Sequence, residues 1–334
     1  MLNLIKFLLV TLSMLVIAIL LFNQYFELLD AFNQFQEFYF LFLIIGLSTI
    51  IFFDTTRKAT VRLLLFFIFL GLIINCRYIL QEHIKADHAH DNQAHSYSLL
   101  SMNVHHNDLN ATAFLSYVED YQPDFLLLQE FSGSEIAKIA HEVRKYYPYE
   151  QRCVIKSYCH TIIFSKYPFI ETDDLAIAQK SVANGNLHRA ALVKVALRPN
   201  PTSNVIKNLA LYAVHLRWPI HFNNEYSTQR QQVRTLIQSI QKLDDHQAII
   251  MAGDFNSVPW SYNLSLLKNS TNLRIVDTPT KTWGPTLYED APIIPIFDID
   301  HFFASENIIV HKTKKLDFAG SDHWPQIMYF SFGQ

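Results

Sequence analysis

From Tyr97 to the C-terminus, short apolar strand patterns alternate with amphipathic helix patterns. Of all features of the sequence, this alternation most limits which folds are possible. The clearest strand is the apolar run Ala248–Ala252, which has the length and composition of a buried strand. The clearest helix is Glu225–Leu243, where apolar residues recur on one face. About 240 residues of such alternating elements predict a single α/β domain.

The remaining elements of this region follow the same two periodicities. Helices are predicted at Ala111–Tyr121, behind Asn110 as N-cap, and at Ser134–Tyr146. Strands are predicted from alternating or continuous apolar residues next to turn residues, at Tyr97–Val104, Asp124–Gln129, two short stretches within Glu150–Phe169, Arg189–Leu197, Leu209–Leu216, Asp298–Ala304 and Trp324–Phe332.

Residues 1–80 contain three long apolar segments, at about 4–22, 34–53 and 59–77. Each is close to the roughly 20 residues that a helix needs to cross a bilayer, so we predict three transmembrane helices. The connection 24–37 has no Lys or Arg, whereas Arg57, Lys58 and Arg62 lie in or beside the next one, which predicts that the second connection faces the cytoplasm. The chain beyond Tyr78 then lies outside the cytoplasm, anchored in an inner or plasma membrane. Buried core helices, or a cleaved signal peptide followed by a hairpin, remain alternatives.

Charge separates the apolar N-terminal part from the rest. Residues 1–89 contain six of the 27 basic and six of the 30 acidic residues, so the net charge of −3 belongs to the remainder. This mild acidity gives no electrostatic reason to expect nucleic-acid binding. Residues 81–96 are polar and predict a solvated linker, although His88, His90 and His95 leave a metal-binding tract open.

Polar residues stand where the predicted strands end. Gly253 ends the central apolar run, and Asp254 and Asn256 follow at alternate positions, which face the same side of an extended segment. In α/β sheets the carboxyl ends of strands are where ligands bind, so Asp254 could align a water or hold a cation and Asn256 could donate to an anionic oxygen. An Asx-rich turn is the alternative there. The other residues at such positions are Asn103, Glu130, His215, Asp300, Asp322 and His323.

With these residues in this order, and above all Gly253-Asp254-Phe255-Asn256 and Ser321-Asp322-His323, residues 97–334 resemble the endonuclease/exonuclease/phosphatase superfamily. That group includes deoxyribonucleases, abasic-site endonucleases, inositol-polyphosphate phosphatases, deadenylases and neutral sphingomyelinases. Pro259-Trp260 is similar to membrane-tethered bacterial members. The resemblance implies a four-layer α/β sandwich of two facing mixed β-sheets with outer helices, here preceded by about three transmembrane helices.

The resemblance also implies a role for each site residue. Asn103, Glu130 and Asp322 would form a Mg²⁺ site, in which Mn²⁺ could substitute. Asp300 and His323 would form a carboxylate–imidazole pair. The remaining catalytic residues would be Asp254, which orients or deprotonates the attacking water, Asn256, which holds a phosphoryl oxygen, and His215, which contacts the phosphate or assists the leaving group. Whether Asp254 or His323 is the general base stays open.

Two positions depart from the family pattern. Many nucleases of the group have an acidic residue two positions after the first asparagine, where this chain has His105, so a second acidic metal ligand is in doubt. His301 follows Asp300 and should point to the opposite face of its strand. Arg189 and Arg217 are candidates for substrate binding, with a solvated or structural role as the alternative.

Cys153 and Cys159 flank Lys156-Ser157 in a predicted hairpin. They are a candidate disulfide if the domain lies outside the cytoplasm.

We therefore predict a membrane-anchored, Mg²⁺-dependent hydrolase of phosphoester bonds, and specifically a nuclease-like phosphodiesterase acting outside the cytoplasm. One alternative is a phosphodiesterase of lipid headgroups. The predicted anchoring in a lipid bilayer, which would then be a partner of the domain, favours this substrate. Another is an inactive membrane module that binds a phosphorylated ligand. No protein partner can be inferred from the sequence.

Overall fold

The computed structural model describes residues 2–53, 97–105, 109–131, 134–152, 161–176, 189–198, 206–220, 228–244, 246–276, 281–285 and 294–333, with parts of 65–73. The chain forms two compact units. One consists of Met1–Ala86 with Val258–Ser265, and the other of Asp87–Ser257 with Leu266–Gln334. The predicted linker 81–96 and the candidate disulfide Cys153–Cys159 lie outside the described residues.

The first unit contains helices α1 (Leu2–Phe22), α2 (Glu27–Phe32) and α3 (Gln36–Phe53), with a short 3₁₀ turn between α2 and α3. Asp30 and Trp260, two polar side chains of this unit, are hydrogen-bonded to backbone groups. The Asp30 carboxylate accepts from the backbone N–H groups of Tyr262 at 2.6 Å and Asn263 at 3.0 Å, and the Trp260 indole donates to the carbonyl of Asn33 at 2.8 Å. Such pairing is required because a buried polar group without a partner costs free energy.

Helices α1 and α3 coincide with the first two predicted membrane spans, whereas most of the third span lies outside the described residues. Within the part of the chain that the structure describes, no helix combines the length and the apolar character needed to cross a membrane. The first two predicted spans are therefore not supported, and the third span and the location of the domain outside the cytoplasm stay predictions.

The second unit contains two six-stranded sheets. The strands are, in chain order, β1 (Tyr97–Asn103), β2 (Phe125–Gln129), β3 (Tyr149–Arg152), β4 (Ile162–Ser165), β5 (Phe169–Ala176), β6 (Arg189–Leu197), β7 (Lys207–His215), β8 (Ala248–Asp254), β9 (Leu273–Val276), β10 (Asp300–Ser305), β11 (Ile308–Lys315) and β12 (Gln326–Phe332). The sheet orders are β11-β12-β1-β2-β4-β3 and β5-β6-β7-β8-β10-β9. Each sheet is mixed, with the parallel pairs β1·β2 and β7·β8 at its centre.

The helices of this part of the chain are α4 (Ala111–Tyr121), α5 (Ser134–Val143), α6 (Gln229–Ile240) and α7 (Tyr262–Ser270), of which α7 begins in the segment Val258–Ser265 of the first unit. Helices α4 and α5 cover the outer face of the first sheet, and α6 contacts the second sheet where Ser239 Oγ lies 3.3 Å from Tyr212 Oη. Successive residues of a strand face opposite sides, so Leu99 packs in the core between the sheets while Leu100 packs with Phe114 and Val143 beneath α4 and α5. This arrangement confirms the predicted sandwich of two facing mixed sheets.

Most predicted elements of the second unit are confirmed to within a few residues. Helix α4 begins behind Asn110, whose side chain accepts from Ala113 N at 3.0 Å. The elements missing from the prediction are β5, β9, β11 and α7. Strand β11 carries Lys312, Lys314 and Lys315 and alternates only weakly in burial, which is typical of an edge strand protected by charge.

Candidate active site

Three of the predicted catalytic residues lie in one row across the second sheet. His215 pairs in register with Asp254, and Asp254 pairs with Asp300 on the other side. Asp254 and Asp300 are both buried, and the His215 side chain is mostly buried. The ends of three neighbouring strands therefore bring together groups that are far apart in the sequence.

Asp254 is fixed by a tight turn at the end of β8. Its Oδ1 accepts from the backbone N–H of Asn256 at 2.7 Å, and its Oδ2 accepts from Asn256 Nδ2 at 3.1 Å. The turn requires glycine before it, because Gly253 has φ 143° and a Cβ there would lie 2.0 Å from the carbonyl oxygen of Val214. Asn256 itself has φ 49°. Asp254 and Asn256 therefore face one spot, as predicted.

The first sheet supplies the other side of the site. Asn103 ends β1, and its Nδ2 donates to Glu130 Oε1 at 3.0 Å and to Asp254 Oδ2 at 3.0 Å. Glu130 directly follows β2 with φ 54°. His215 Nε2 lies 3.6 Å from Glu130 Oε1 and 3.6 Å from Asp254 Oδ2. A single asparagine thus connects a carboxylate of each sheet.

Asp300 and His323 form the predicted carboxylate–imidazole pair. His323 Nδ1 lies 2.8 Å and 3.0 Å from the two Asp300 oxygens, which places a hydrogen on Nδ1 and directs Nε2 to Asp254 Oδ2 at 3.7 Å. The backbone of Asp300 is also held, because its N–H donates to Thr282 Oγ1 at 3.2 Å and its carbonyl accepts from Gln326 Nε2 at 3.1 Å.

The environment moves two pKa values in this group. Burial raises the pKa of Asp254 to about 8, although His323 and the hydrogen bonds from Asn256 and Asn103 act to lower it. Burial lowers the pKa of His323, but Asp300 and Asp254 outweigh this effect and the net result is a pKa raised to about 10. At neutral pH the imidazole is therefore cationic, and Asp254 can exchange a proton.

Asp322 is held by a residue that the sequence reasoning missed. The Trp283 indole donates to Asp322 Oδ2 at 2.8 Å, and Asp322 Oδ1 lies 3.3 Å from His105 Nδ1. His105 stands where many nucleases of the family have an acidic residue, and here its imidazole lies beside the Asp322 carboxylate. No local sequence pattern links Trp283 to the site, because its contact with Asp322 spans 39 residues.

The remaining candidates are placed as follows. His301 points away from Asp300 as predicted, and its Nε2 lies 2.7 Å from the carbonyl oxygen of Ser257. Arg217 is partly buried two residues after His215. Arg189 begins β6, but its side chain lies outside the described residues. A substrate-binding role for either arginine stays a prediction.

Two groups of side chains are candidate metal sites. Among the described residues, Asp254, Asp300 and His323 bring ligand atoms within 4.8 Å of one another, but His323 Nδ1 is hydrogen-bonded to Asp300 at 2.8 Å, an arrangement that favours proton transfer. The predicted ligands Asn103, Glu130 and Asp322 offer the hard oxygen donors that Mg²⁺ and Mn²⁺ prefer. Asp322 Oδ1 is buried and has no hydrogen-bond partner within the described part of the chain. The carboxylates of Glu130 and Asp322 therefore have the donor chemistry for a divalent cation, whereas Asn103 turns Nδ2 toward Glu130 and its Oδ1 accepts from the backbone N–H of His105 at 3.0 Å.

The fold and the site together define a class of protein: a two-sheet α/β sandwich with carboxylates and imidazoles gathered at one edge. Residues 100–323 match the family model described as Endonuclease/Exonuclease/phosphatase family. The match covers more than half of the chain, and the chain belongs to this family.

Solved structures share the fold at low sequence identity. An endonuclease/exonuclease/phosphatase from Bacteroides vulgatus is 12% identical with a TM-score of 0.56, covering 71% of this chain and 99% of that one. D. rerio TDP2 complexed with a single-stranded DNA product is 19% identical with a TM-score of 0.51, covering 71% and 99%. The human Nocturnin catalytic domain with bound sulfate is 16% identical with a TM-score of 0.52, covering 75% and 97%. A comparison with curated proteins gives no match.

Proposed function

We propose that residues 97–334 hydrolyse phosphodiesters with the help of a divalent cation. The observation that carries the proposal is the buried constellation of Asp254, Asp300 and His323, in which the Asp254 carboxylate lies 3.7 Å from an imidazole held by Asp300. Beside it, Asn103 Nδ2 donates to both Asp254 Oδ2 and Glu130 Oε1 and so holds the Glu130 carboxylate, a candidate oxygen ligand, close to Asp254. An inactive binding module would not require all of these groups.

The raised pKa of Asp254, about 8, supports this residue as the general base. In the proposed reaction the Asp254 carboxylate takes the proton of the attacking water while the water oxygen bonds to phosphorus. The bond from phosphorus to the leaving oxygen breaks, and His215 donates a proton to that oxygen. The cationic His323 stabilises the negative charge that develops on the phosphoryl oxygens. A bound divalent cation would add positive charge beside the same oxygens.

The contacts of Asn256 favour a positioning role rather than the predicted direct contact with phosphate. An amide has two N–H hydrogens, and Asn256 Nδ2 lies 2.9 Å from Leu216 O and 3.1 Å from Asp254 Oδ2. We therefore propose that Asn256 orients Asp254 and the turn that carries it.

Aromatic side chains beside Asp322 support a nucleic-acid substrate. Trp283 stacks on Phe297 with ring centroids 5.6 Å apart and an angle of 11°, and Trp218 lies 6.4 Å from Trp283. Both tryptophans are partly buried. Nucleobases stack on such rings next to a phosphate site. The same rings would attract the quaternary ammonium of a lipid headgroup, which keeps a lipid phosphodiesterase as the second candidate.

The test uses the full-length chain with bis-p-nitrophenyl phosphate, a single-stranded oligonucleotide and sphingomyelin vesicles, each with Mg²⁺, Mn²⁺ or EDTA. We expect hydrolysis that EDTA abolishes, with the oligonucleotide cleaved fastest. Preferential cleavage of sphingomyelin would replace the nuclease assignment with the lipid one. His323→Gln should abolish activity, whereas the matched control His246→Gln, at an exposed histidine, should not. Equal activity of the two variants would refute the proposed roles.

A further inference from the structure

A buried glutamine outside the predicted site contacts the backbone beside it. Gln229 is 2% exposed. Its Nε2 lies 2.8 Å from the carbonyl oxygen of Arg217, 3.0 Å from that of Phe255 and 3.1 Å from that of Asn256. Its Oε1 accepts from Ser257 Oγ at 2.8 Å. One side chain thus bonds four residues of two separate loops.

These two loops carry the catalytic groups of neighbouring strands. Arg217 lies in the loop that follows β7 and His215, and residues 255–257 form the loop that follows β8 and Asp254. Asn256 makes a second link between the loops through its bond to Leu216 O at 2.9 Å. Because Asn256 has φ 49°, a conformation that non-glycine residues rarely adopt, the surrounding contacts have to maintain it.

The N-terminus of α6 holds Gln229 in place. Thr228 is the N-cap, and Thr228 and Gln231 exchange hydrogen bonds in a capping box. Further along the helix Val233 and Leu236 are fully buried. The start of the helix is therefore fixed before any ligand binds, so the Gln229 amide is presented to the loops without further ordering.

We propose that Gln229 is a positioning residue for the reaction, a role that rests on the proposed function. It fixes the loop after β7 against the loop after β8, and so sets His215 and Asn256 around Asp254. Glutamine suits this position because it supplies two donors and one acceptor. A glutamate would direct negative charge at three carbonyl oxygens, and a methionine would leave those carbonyls without this donor.

The experiment compares Gln229→Met with Gln238→Met in the full-length chain. Gln238 lies on the exposed face of the same helix, away from the capping box and the two loops. We expect the first change to lower kcat on bis-p-nitrophenyl phosphate by about tenfold to a hundredfold, with little change in KM, because small displacements of reacting groups have effects of this size. The second change should leave kcat within about twofold of wild type. A kcat for folded Gln229→Met that equals wild type would overturn the proposal.

A second readout does not require activity. The backbone N–H of Asn256 donates to Asp254 Oδ1, so its hydrogen exchange with solvent should be faster in Gln229→Met than in Gln238→Met at equal global stability. If the wild type hydrolyses no phosphodiester while this difference is found, the proposed function fails and the loop-fixing role stands. Equal exchange rates would overturn that role. Should Gln229→Met fail to fold, Ser257→Ala removes one of the four bonds and is expected to lower kcat at least threefold; an unchanged kcat would contradict the proposal.

Discussion

Replacing Asp300 by asparagine removes the negative charge beside His323 and preserves the shape of the side chain. The two Asp300 oxygens lie 2.8 Å and 3.0 Å from His323 Nδ1, and both residues are buried. A hydrogen bond to a charged group contributes about 1.5–3 kcal/mol, and 1.36 kcal/mol corresponds to one pH unit in a pKa. We therefore expect Asp300→Asn to lower the pKa of His323 from about 10 by about one to two pH units.

The kcat of Asp300→Asn should fall as well. The neutral amide oxygen of asparagine accepts a weaker hydrogen bond from His323 Nδ1, and its N–H group can favour the other imidazole tautomer. General acid–base and orienting groups contribute about 10²–10⁴ in rate, so kcat at neutral pH should fall by at least about a hundredfold. The assay is the pH dependence of kcat on bis-p-nitrophenyl phosphate, combined with an NMR titration of the His323 ring. Asp244→Asn, an exposed carboxylate, is the control and should behave as wild type.

For the wild type, we expect a bell-shaped dependence of kcat on pH. Activity should rise as Asp254 loses its proton near pH 8 and fall as His323 loses its proton near pH 10. In Asp300→Asn the alkaline limb should move to lower pH while the other limb changes less. If the alkaline limb stays in place, or if kcat stays within about twofold of wild type, the role assigned to the Asp300–His323 pair is wrong.

Three further predictions concern metal dependence, backbone strain and stability. Glu130→Gln should raise the Mg²⁺ concentration for half-maximal activity at least about tenfold, measured by metal titration of the rate; an unchanged requirement would exclude Glu130 as a ligand. Gly253→Ala should lower the free energy of unfolding by at least about 2 kcal/mol, measured by denaturant unfolding, because its Cβ would meet the Val214 carbonyl at 2.0 Å; a stability equal to wild type would contradict the turn geometry. The pKa values of His323 and Asp254 are both raised on folding, so their stabilising contributions are present at low pH, from below 6.5 and 3.8 respectively, and are lost as the pH rises through about 10 and about 8. In EDTA the thermal midpoint should therefore fall between pH 6 and pH 10, and a rising midpoint would refute these directions.

Much of the site could be predicted because its residues end strands that are recognisable locally. The apolar run before Gly253 indicates a buried strand, and Asp254 and Asn256 follow it within three positions. Asn103, Glu130 and His215 stand at or directly after the ends of equally apolar strands. The parallel pairs β1·β2 and β7·β8 then align these ends, so local patterns and sheet geometry account for the convergence.

The parts that could not be predicted depend on contacts between segments without a local pattern. Trp283 reaches Asp322 from an isolated bridge outside the strands. Gln229 looks like an ordinary polar residue in the first turn of an amphipathic helix, and its burial follows only from the loops that fold over it. His105 was identified as a departure from the family pattern, but its partner Asp322 could not be inferred from spacing.

Two hydrogen bonds of the site run between the halves of the sandwich, and this has a consequence for folding. Asn103 ends β1 of the first sheet and bonds Asp254 of the second, 151 residues away. His323 lies three residues before β12 of the first sheet and bonds Asp300, at the start of β10 in the second. Strand β12 pairs with both β11 and β1, so the last strand of the domain lies beside the first. The row His215, Asp254 and Asp300 lies within one sheet, but the complete set of catalytic groups requires the two sheets to be docked, because each cross-sheet bond needs one partner from each sheet. A change that loosens the packing between the sheets should lower activity before it unfolds either sheet.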